Sequence, residues 1–509
     1  MRSIRSHCTA LPKFAAPFVM AACIVLLSAA VPLSAQGSQP DPFASPLPIV
    51  IPPDSRESPV PTVLDVENRH FIDNLTTFFK EYGGGDKTGA LSIDQCLKIA
   101  LANSNDVSAA QSRSRESAYR IDEVKSKRNP TLTSNNSLTT RGPIPTLTIP
   151  GMGSFKLGAD MITDFNFNAQ YLVSNFGVIE NTKKKAYLAY IVSSVEVERV
   201  TSNLYLDVLK QFFTVFETQG LLAVAQEAIN ARKLQYAIAK AHYDEGIFPK
   251  FEVLNAMVNI KQAEQAVITA VKGLEVTKAR LRTTLGLQQS TALDVKRPRF
   301  QVYDLLPVEE ATEIGYDNRP EMTQVNLAVD IARVNVDLAY GGMNPSLVLI
   351  GNYDYQTENF GTVPSAWNTT LALQIPIFDG GNTWSRVKQA KEALTQANLA
   401  LDQLRRDIAQ QVKTAHIDVM ESMKKMETAE ANLDQSKEAY DIAVVRYREG
   451  VGTYLELDNA LVSYLASHAS LLSSYCEYQR SWSALLHNMG VLVKGVEYAR
   501  ETKFFYPGY

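Results

Sequence analysis

The chain has 509 residues, of which 45% are hydrophobic and 20% are charged, and its formal net charge is −4. Because there is no basic excess, the composition argues against nucleic acid as a partner. The sequence has no HExxH, P-loop or GxSxG motif, and its His residues are scattered singly. We therefore predict a protein that is not an enzyme and that has no cofactor, catalytic residue or metal site.

The N-terminal residues have the pattern of a secretory signal peptide. Basic residues precede an apolar run from Ala15 to Val31, and small residues follow up to Ala35. We predict that residues 1-35 are a signal peptide. Lipidation at Cys23 is the alternative, although the apolar run continues beyond that residue. Residues 36-90 form a Pro-rich N-terminal extension, for which the sequence indicates no role.

The longest regular pattern of the chain runs from Asn382 to Gly490. It contains no Pro, and apolar or small residues recur at a helical spacing of about 3.5 residues. At about 1.5 Å per residue, a helix from Asn382 to Glu449 is about 100 Å long. Gly450 and Gly452 interrupt the pattern before a second helical stretch begins at Thr453. We predict two long antiparallel helices joined by a short turn.

The same arrangement occurs earlier in the chain, which indicates a tandem duplication. Tyr243-Asp244-Glu245-Gly246 matches Tyr447-Arg448-Glu449-Gly450 at an offset of 447 − 243 = 204 residues. Upstream, Asn129-Pro130 matches Asn344-Pro345 at an offset of 344 − 129 = 215, so the first copy has 11 extra residues. We predict two repeats, at residues 91-290 and 307-492, with a connector at 291-306 and a C-terminal tail at 493-509.

Each copy also contains segments in which apolar residues alternate with Asn, Gln and Asp. This pattern covers residues 164–171 in the first copy and residues 347–356 and 371–377 in the second. The segment from Leu132 to Leu138 indicates a strand only weakly. We predict β-hairpins at residues 130-176 and 345-379, with the extra residues in the first connection. The predicted lipid-facing residues of the strands are Phe165, Phe167, Leu371, Leu373 and Ile375.

Strands of about ten residues with this alternation are typical of a transmembrane β-barrel. Four strands cannot close a barrel, and open sheet edges are not tolerated in hydrocarbon. Three copies under cyclic symmetry would supply twelve strands. The predicted fold class is therefore mainly α with a transmembrane β part. A duplicated helix–β-hairpin–helix protomer forms a trimeric 12-stranded β-barrel and a long periplasmic α-helical barrel. The alternative is a secreted or periplasmic coiled-coil scaffold or adhesin with no channel.

Cys96 and Cys476 remain after the leader is removed, and both lie inside predicted helices. Neither belongs to a CxxC motif or lies near a paired His. Two small buried side chains are the simplest interpretation. A disulfide between the first and last helices is the alternative, which the spacing of the cysteines does not decide.

Three groups of motifs occur together between residues 91 and 492. They are the helical opening at residues 91–105, the two Tyr-x-x-Gly turns and the two Asn-Pro strand entries. Together they resemble the TolC-like outer membrane efflux protein family. The resemblance implies a homotrimer in the cell outer membrane, extending into the periplasm, that serves as the passive channel of a tripartite export system. The implied partners are outer membrane lipid, a periplasmic adaptor (membrane fusion) protein and an inner-membrane efflux pump or ABC exporter. Drugs, metals and polypeptides all remain open as cargo.

The resemblance also implies roles for the two turns. In that family they form a periplasmic tip, here at residues 243-251 and 447-455, where the adaptor binds and the channel narrows. It assigns adaptor contact to Tyr243, Gly246, Tyr447 and Gly450. It assigns the constriction to the positions six and nine residues after each turn glycine, which are Glu252, Asn255, Glu456 and Asn459.

This chain departs from the family's closing latch. Only one of its two acidic rings is retained, since Asn459 follows Glu456, and Gly452 stands where the latch has an Arg. A hydrogen bond between Tyr447 and Glu252 stays available. The simpler interpretations are that the glycines only permit the turns and that Glu456 is an ordinary solvated carboxylate.

Overall fold

The computed structural model describes residues 89–298, 302–358, 361–362 and 365–493. The predicted signal peptide, Cys23, almost all of the N-terminal extension and all but the first residue of the tail lie outside the described residues. Those expectations therefore stay predictions. Among the described helices, none is long and apolar enough to span a membrane.

The first copy of the repeat places its strands between two shorter helices and two long ones. The long helices follow the strands and form an antiparallel hairpin. In chain order the elements are α1 (Ile93–Asn103), α2 (Asn105–Ser126), β1 (Thr131–Thr140), β2 (Thr146–Ile149), β3 (Gly153–Lys156), β4 (Met161–Ser174), α3 (Val178–Asp244) and α4 (Lys250–Thr284).

The second copy has the same order of helices around its strands. Its elements are α5 (Val308–Asn318), α6 (Pro320–Tyr340), a 3-10 turn (Gly341–Met343), β5 (Ser346–Glu358), β6 (Gly361–Thr362), β7 (Ala366–Gln374), α7 (Asn382–Arg448) and α8 (Tyr454–Asn488). Helices α3 and α7 each contain 67 residues, and they begin 382 − 178 = 204 residues apart. Helices α1 and α5 begin 308 − 93 = 215 residues apart. Both offsets of the sequence therefore recur in the structure.

Strands of the two copies form one antiparallel sheet in the order β1-β4-β5-β7. The short β6 also pairs with β5, and β2 and β3 form a separate small hairpin inside the longer connection of the first copy. The segment at residues 132–138, which the sequence indicated only weakly as a strand, lies within β1, and β1 pairs with β4 along its full ten residues. Backbone ladder bonds do not require the alternation of polarity that this segment lacks. Within the described residues, β1 and β7 each pair with a neighbour on one side only.

One face of this sheet is apolar and aromatic. Phe165 and Phe167 of β4 lie directly opposite Tyr355 and Tyr353 of β5, and the Phe165 and Tyr355 ring centroids are 6.2 Å apart. Four of the five residues predicted to face lipid lie on this face, and Ile375 directly follows the last residue of β7. The exposed large apolar side chains here also include Leu132, Leu138, Trp367, Leu371 and Leu373.

The opposite face of the sheet carries a row of amides. Asn168 donates a hydrogen bond to Asn352 on the next strand, and Asn352 Nδ2 donates to Asn368 Oδ1 on the following strand at 3.0 Å. One step along the strands, Asn166 donates to Asp354. The register therefore separates an apolar face from a polar one, which is the arrangement that the alternation predicts.

The four long helices pack side by side. Helix α3 packs on α4, α7 packs on α8, and α3 also contacts α8. The largest buried cluster lies where the shorter helices and the connector meet these long helices. Cys96 and Cys476 both belong to this cluster as free thiols. Burial raises the pKa of Cys96 to about 12, so its thiol stays protonated and behaves as a small apolar group.

Candidate functional site at the helical tip

The two long hairpins end in turns with the same backbone geometry. Gly246 and Gly450 have φ angles of +78° and +72°, in the left-handed region that favours glycine. Ile247 N–H donates to the carbonyl of His242 at 2.8 Å, and Val451 N–H donates to that of Arg446 at 3.0 Å. These are the bonds of a Schellman-type helix end. The backbone alone thus accounts for both glycines.

The two tyrosines of the turns have opposite environments. Tyr447 is 0% exposed, whereas the equivalent Tyr243 is 41% exposed. The Tyr447 ring packs with Ala443 and Leu457, and its centroid is 5.4 Å from that of Phe248. One tyrosine is therefore an internal packing residue, and the other is available to a partner.

Tyr447 also forms the predicted contact with Glu252. Its hydroxyl donates to Glu252 Oε2 at 3.5 Å, which joins α7 of the second hairpin to α4 of the first. Burial raises the pKa of Tyr447, and the negative charge of Glu252 raises it further. The phenol therefore stays protonated and remains the donor in this pair.

Two of the other constriction residues, Glu456 and Asn459, are exposed. Glu456 forms an ion pair with Arg446, with Nε and Oε1 3.3 Å apart and both side chains about half exposed. Such an exposed pair contributes at most about 1 kcal/mol. Asn255 is half-buried and Asn459 is exposed, and neither side chain makes a hydrogen bond to another described residue. Among the described residues, Glu252 is the member of this set whose side chain is hydrogen-bonded to the facing hairpin.

Gly452 lies in close contact with the preceding helix. A Cβ at this position would lie 3.1 Å from the backbone carbon of Arg446 and from the backbone nitrogen of Tyr447. A larger residue would therefore displace the end of α7. The second turn is built for glycine where the family's latch has an arginine.

The sequence did not identify the aromatic residues that join the two tips. The rings of His242, Phe248, Tyr447 and Tyr454 follow one another with centroids 4.6, 5.4 and 6.1 Å apart, and we call this run the aromatic seam. His242 was predicted to be a scattered structural or surface residue. The available signal was divergence between the copies at three of these positions, since His242, Phe248 and Tyr454 match Arg446, Gly452 and Lys250 at an offset of 204. Tyr447 matches another tyrosine, Tyr243.

Polar contacts near the aromatic seam also join the two hairpins. Arg232 of α3 forms a largely buried ion pair with Asp458 of α8, and Asn259 of α4 donates to the Tyr454 hydroxyl. Burial lowers the pKa of Arg232, although a guanidinium stays charged in proteins. The two hairpins are thus held together by charge and hydrogen bonds as well as by packing.

Apolar side chains are exposed on the outer helices of the tip. On α4, Phe251 is 68% exposed, and Leu254 and Val258 continue the same helical stripe. On α7, Ile442 and Val445 line a groove together with Asp434, Lys437, Glu438, Asp441 and Arg446. Clusters of exposed apolar residues of this kind mark contact surfaces.

Among the described residues, no group of three His, Cys, Asp or Glu side chains is placed to hold a metal ion. The residues of the tip make packing contacts, hydrogen bonds and ion pairs with one another.

Comparison with known proteins identifies relatives of the same class. The outer membrane protein TolC of Vibrio cholerae is 23% identical over 338 residues, which is 64% of this chain and 76% of that protein. The alkaline protease secretion protein AprF of Pseudomonas aeruginosa is 21% identical over 325 residues, 61% of this chain and 66% of that protein. Neither name is that of an enzyme.

A solved structure shares the fold. The outer-membrane channel OprN superposes with a TM-score of 0.65 at 17% identity, covering 86% of this chain and 98% of that one. The family described as outer membrane efflux protein matches residues 96–287 and 316–491, which lie in the two copies of the repeat. The match covers well over half of the chain. The chain therefore belongs to the outer membrane efflux protein family, and it is an outer membrane efflux channel that extends into the periplasm.

Proposed function

We propose that three copies of this chain form a passive conduit of a tripartite export system. The conduit carries small molecules or polypeptides from the periplasm and an inner-membrane pump to the exterior. The observation that carries the proposal is the sheet of β1, β4, β5 and β7, which has one apolar face and one polar face. Among the described residues, β1 and β7 each have one unpaired edge.

The free edges support closure by other copies. In hydrocarbon every backbone N–H and C=O needs a partner, so β1 of one copy would pair with β7 of the next. Three copies give twelve strands, and a head-to-tail contact of this kind closes into a ring. The aromatic face with Phe167 and Trp367 would then contact lipid, and the amide row would line the water-filled lumen.

The exposed flanks of the tip support the same assembly. Helices α4 and α7 both expose apolar side chains near the tip. In a ring, the stripe at Phe251 and Leu254 on α4 would pack near Ile442 and Val445 on α7 of the next copy. That contact would bury the apolar side chains that a single chain exposes.

We assign adaptor contact mainly to the first turn. Tyr243 and Gly246 are exposed, whereas Tyr447 is buried and acts through the shape it gives to the second turn beside Gly450. At the constriction, three Glu456 side chains around the axis would favour cations. Arg446 offsets part of that charge. Glu252, Asn255 and Asn459 would complete the narrow region.

The partners follow from the family to which the chain belongs. A periplasmic adaptor would dock on the tip, and an inner-membrane pump or ABC exporter would supply the energy. The relative named for alkaline protease secretion supports polypeptides as one cargo class. A wide duct lined by amides needs no substrate-shaped pocket, so small molecules stay the other class.

The decisive experiment tests orientation and assembly together. Phe167→Arg places a charge on the lipid-facing side of β4, and we expect it to cost about 2 to 4 kcal/mol and to reduce SDS-resistant trimers in the outer membrane fraction. Gln170→Arg, on the opposite face of the same strand, is the matched control and should assemble normally. A chain that carbonate extracts as a soluble monomer would contradict the proposal.

A further inference from the structure

We propose that His242 is a gating residue, which clasps the second hairpin to the first and holds the tip closed. The inference rests on the proposed function, because it takes the tip to be the constriction of a channel. The first copy of the repeat would supply this hydrogen bond to the second hairpin, and the second copy would supply no equivalent bond to the first.

The clasp is a hydrogen bond to the end of the facing helix. His242 Nε2 lies 3.2 Å from the carbonyl oxygen of Arg448, the last residue of α7. A carbonyl in the last turn of a helix has no donor within that helix. Nε2–H of His242 therefore donates to an acceptor that the helix itself leaves open. The bond joins residues 206 positions apart in the chain.

The second ring nitrogen supports this assignment. His242 Nδ1 is buried and has no hydrogen-bond partner among the described residues. A buried N–H without an acceptor is costly, whereas a bare ring nitrogen costs less. A ring that carries its hydrogen on Nε2 satisfies both observations.

Packing fixes the ring in this position. The His242 ring lies 4.6 Å from that of Phe248, which in turn packs on Tyr447. On its other side, His242 Cε1 would lie 4.0 Å from a Cβ at Gly450, so the ring reaches the second turn itself. His242 thus contacts both turns, and the aromatic seam continues from it into the buried cluster.

The equivalent residue of the second copy does not form a matching clasp. Arg446 occupies the position of His242 at an offset of 204, and its Nε pairs with Glu456 of its own hairpin. Each protomer therefore has one such clasp, and a trimer would have three. Moving the second hairpin away from the first would break the His242 bond and expose Phe248 and Tyr447 to water.

The test measures channel opening while it monitors assembly. Purified full-length trimers would be reconstituted in planar lipid bilayers, with His242→Ala, His242→Phe and Leu234→Ala compared with the unaltered chain. Loss of one net hydrogen bond shifts an equilibrium about fivefold. We expect His242→Phe, which keeps the ring, to raise the ratio of open to closed states about fivefold per protomer, and His242→Ala to raise it more. Leu234→Ala, at an exposed residue about two turns earlier on α3, should match the unaltered chain.

The outcomes separate the two proposals. If the unaltered trimer forms no pore, the proposed function fails, and the clasp fails with it. If the unaltered trimer conducts and both His242 variants open no more often than Leu234→Ala, only the clasp is wrong. SDS-resistant trimers check that each variant assembles, and should His242→Ala not assemble, His242→Phe decides alone.

Discussion

The two turns of the tip share a backbone conformation and several side chains, but they differ in where those side chains are placed. In the first turn Tyr243 is exposed, and His242 and Phe248 reach across to the second hairpin. In the second turn Tyr447 is buried, and Gly452 leaves room for close packing against the end of α7. The two copies thus have the same turn conformation but place their side chains in different environments.

This difference shows which part of a repeat is free to change. The glycines at 246 and 450 are fixed by their positive φ angles, so the turn itself cannot vary. The side chains around these glycines are constrained by packing against the facing hairpin and not by the backbone of the turn. The first turn supplies the groups that hold the pair together, and the second supplies the buried centre on which they pack.

The largest expected effect separates the two tyrosines. Tyr447→Ala removes a fully buried ring and should lower the free energy of unfolding by about 3 to 5 kcal/mol. Tyr243→Ala removes an exposed ring and should change it by no more than about 0.5 kcal/mol. Denaturant unfolding of the detergent-solubilised protein, followed by helical circular dichroism, measures both. Equal losses would show that the two turns are not differentiated as described.

The next effect is the pH dependence of stability at position 468, compared with the equivalent position 264 of the first copy. His468 is 5% exposed, and burial lowers its pKa to about 4. Because this folded-state pKa lies below the unfolded value of about 6.5, the stabilisation is complete above pH 6.5 and is lost as the pH falls toward 4. The loss should reach about 3 kcal/mol. Glu264 is instead half exposed and paired with Lys261.

Thermal unfolding between pH 7 and pH 4 checks this expectation. His468→Gln should remove most of the added pH dependence over that interval, whereas Glu264→Gln should leave the profile nearly unchanged. If His468→Gln retains the full slope, other groups cause it, such as His487, whose pKa is also lowered by burial.

The smallest effect compares two glycines of different purpose. Gly452→Ala places a Cβ 3.1 Å from the end of α7 and should destabilise the protein by about 1 to 3 kcal/mol through overpacking. Gly273→Ala, in α4, meets no atom within 4 Å and should stabilise it by about 0.5 to 1 kcal/mol. The melting temperatures of the two variants should therefore move in opposite directions. A neutral Gly452→Ala would show that α7 adjusts freely at its end.

The sequence predicted the features that follow from periodicity and repetition. Helices α3 and α7, their turns and the two faces of the sheet all come from patterns within one segment. β1 was underestimated because its Thr, Ser and Asn residues give no alternation, and its order comes from pairing with β4. The His242 clasp was missed because it depends on two segments that only packing brings together. The same reason prevented the sequence from showing which tyrosine is buried.

Each 67-residue helix starts a few residues after a strand of the sheet and ends at the tip. Such a helix is a lever about 100 Å long with one end anchored. A tilt of about 3° at the anchored end moves the free end by about 5 Å, close to one helical turn. A partner bound to the tip that tilts these helices by about 3° would therefore move the tip by about 5 Å while the strands keep their positions.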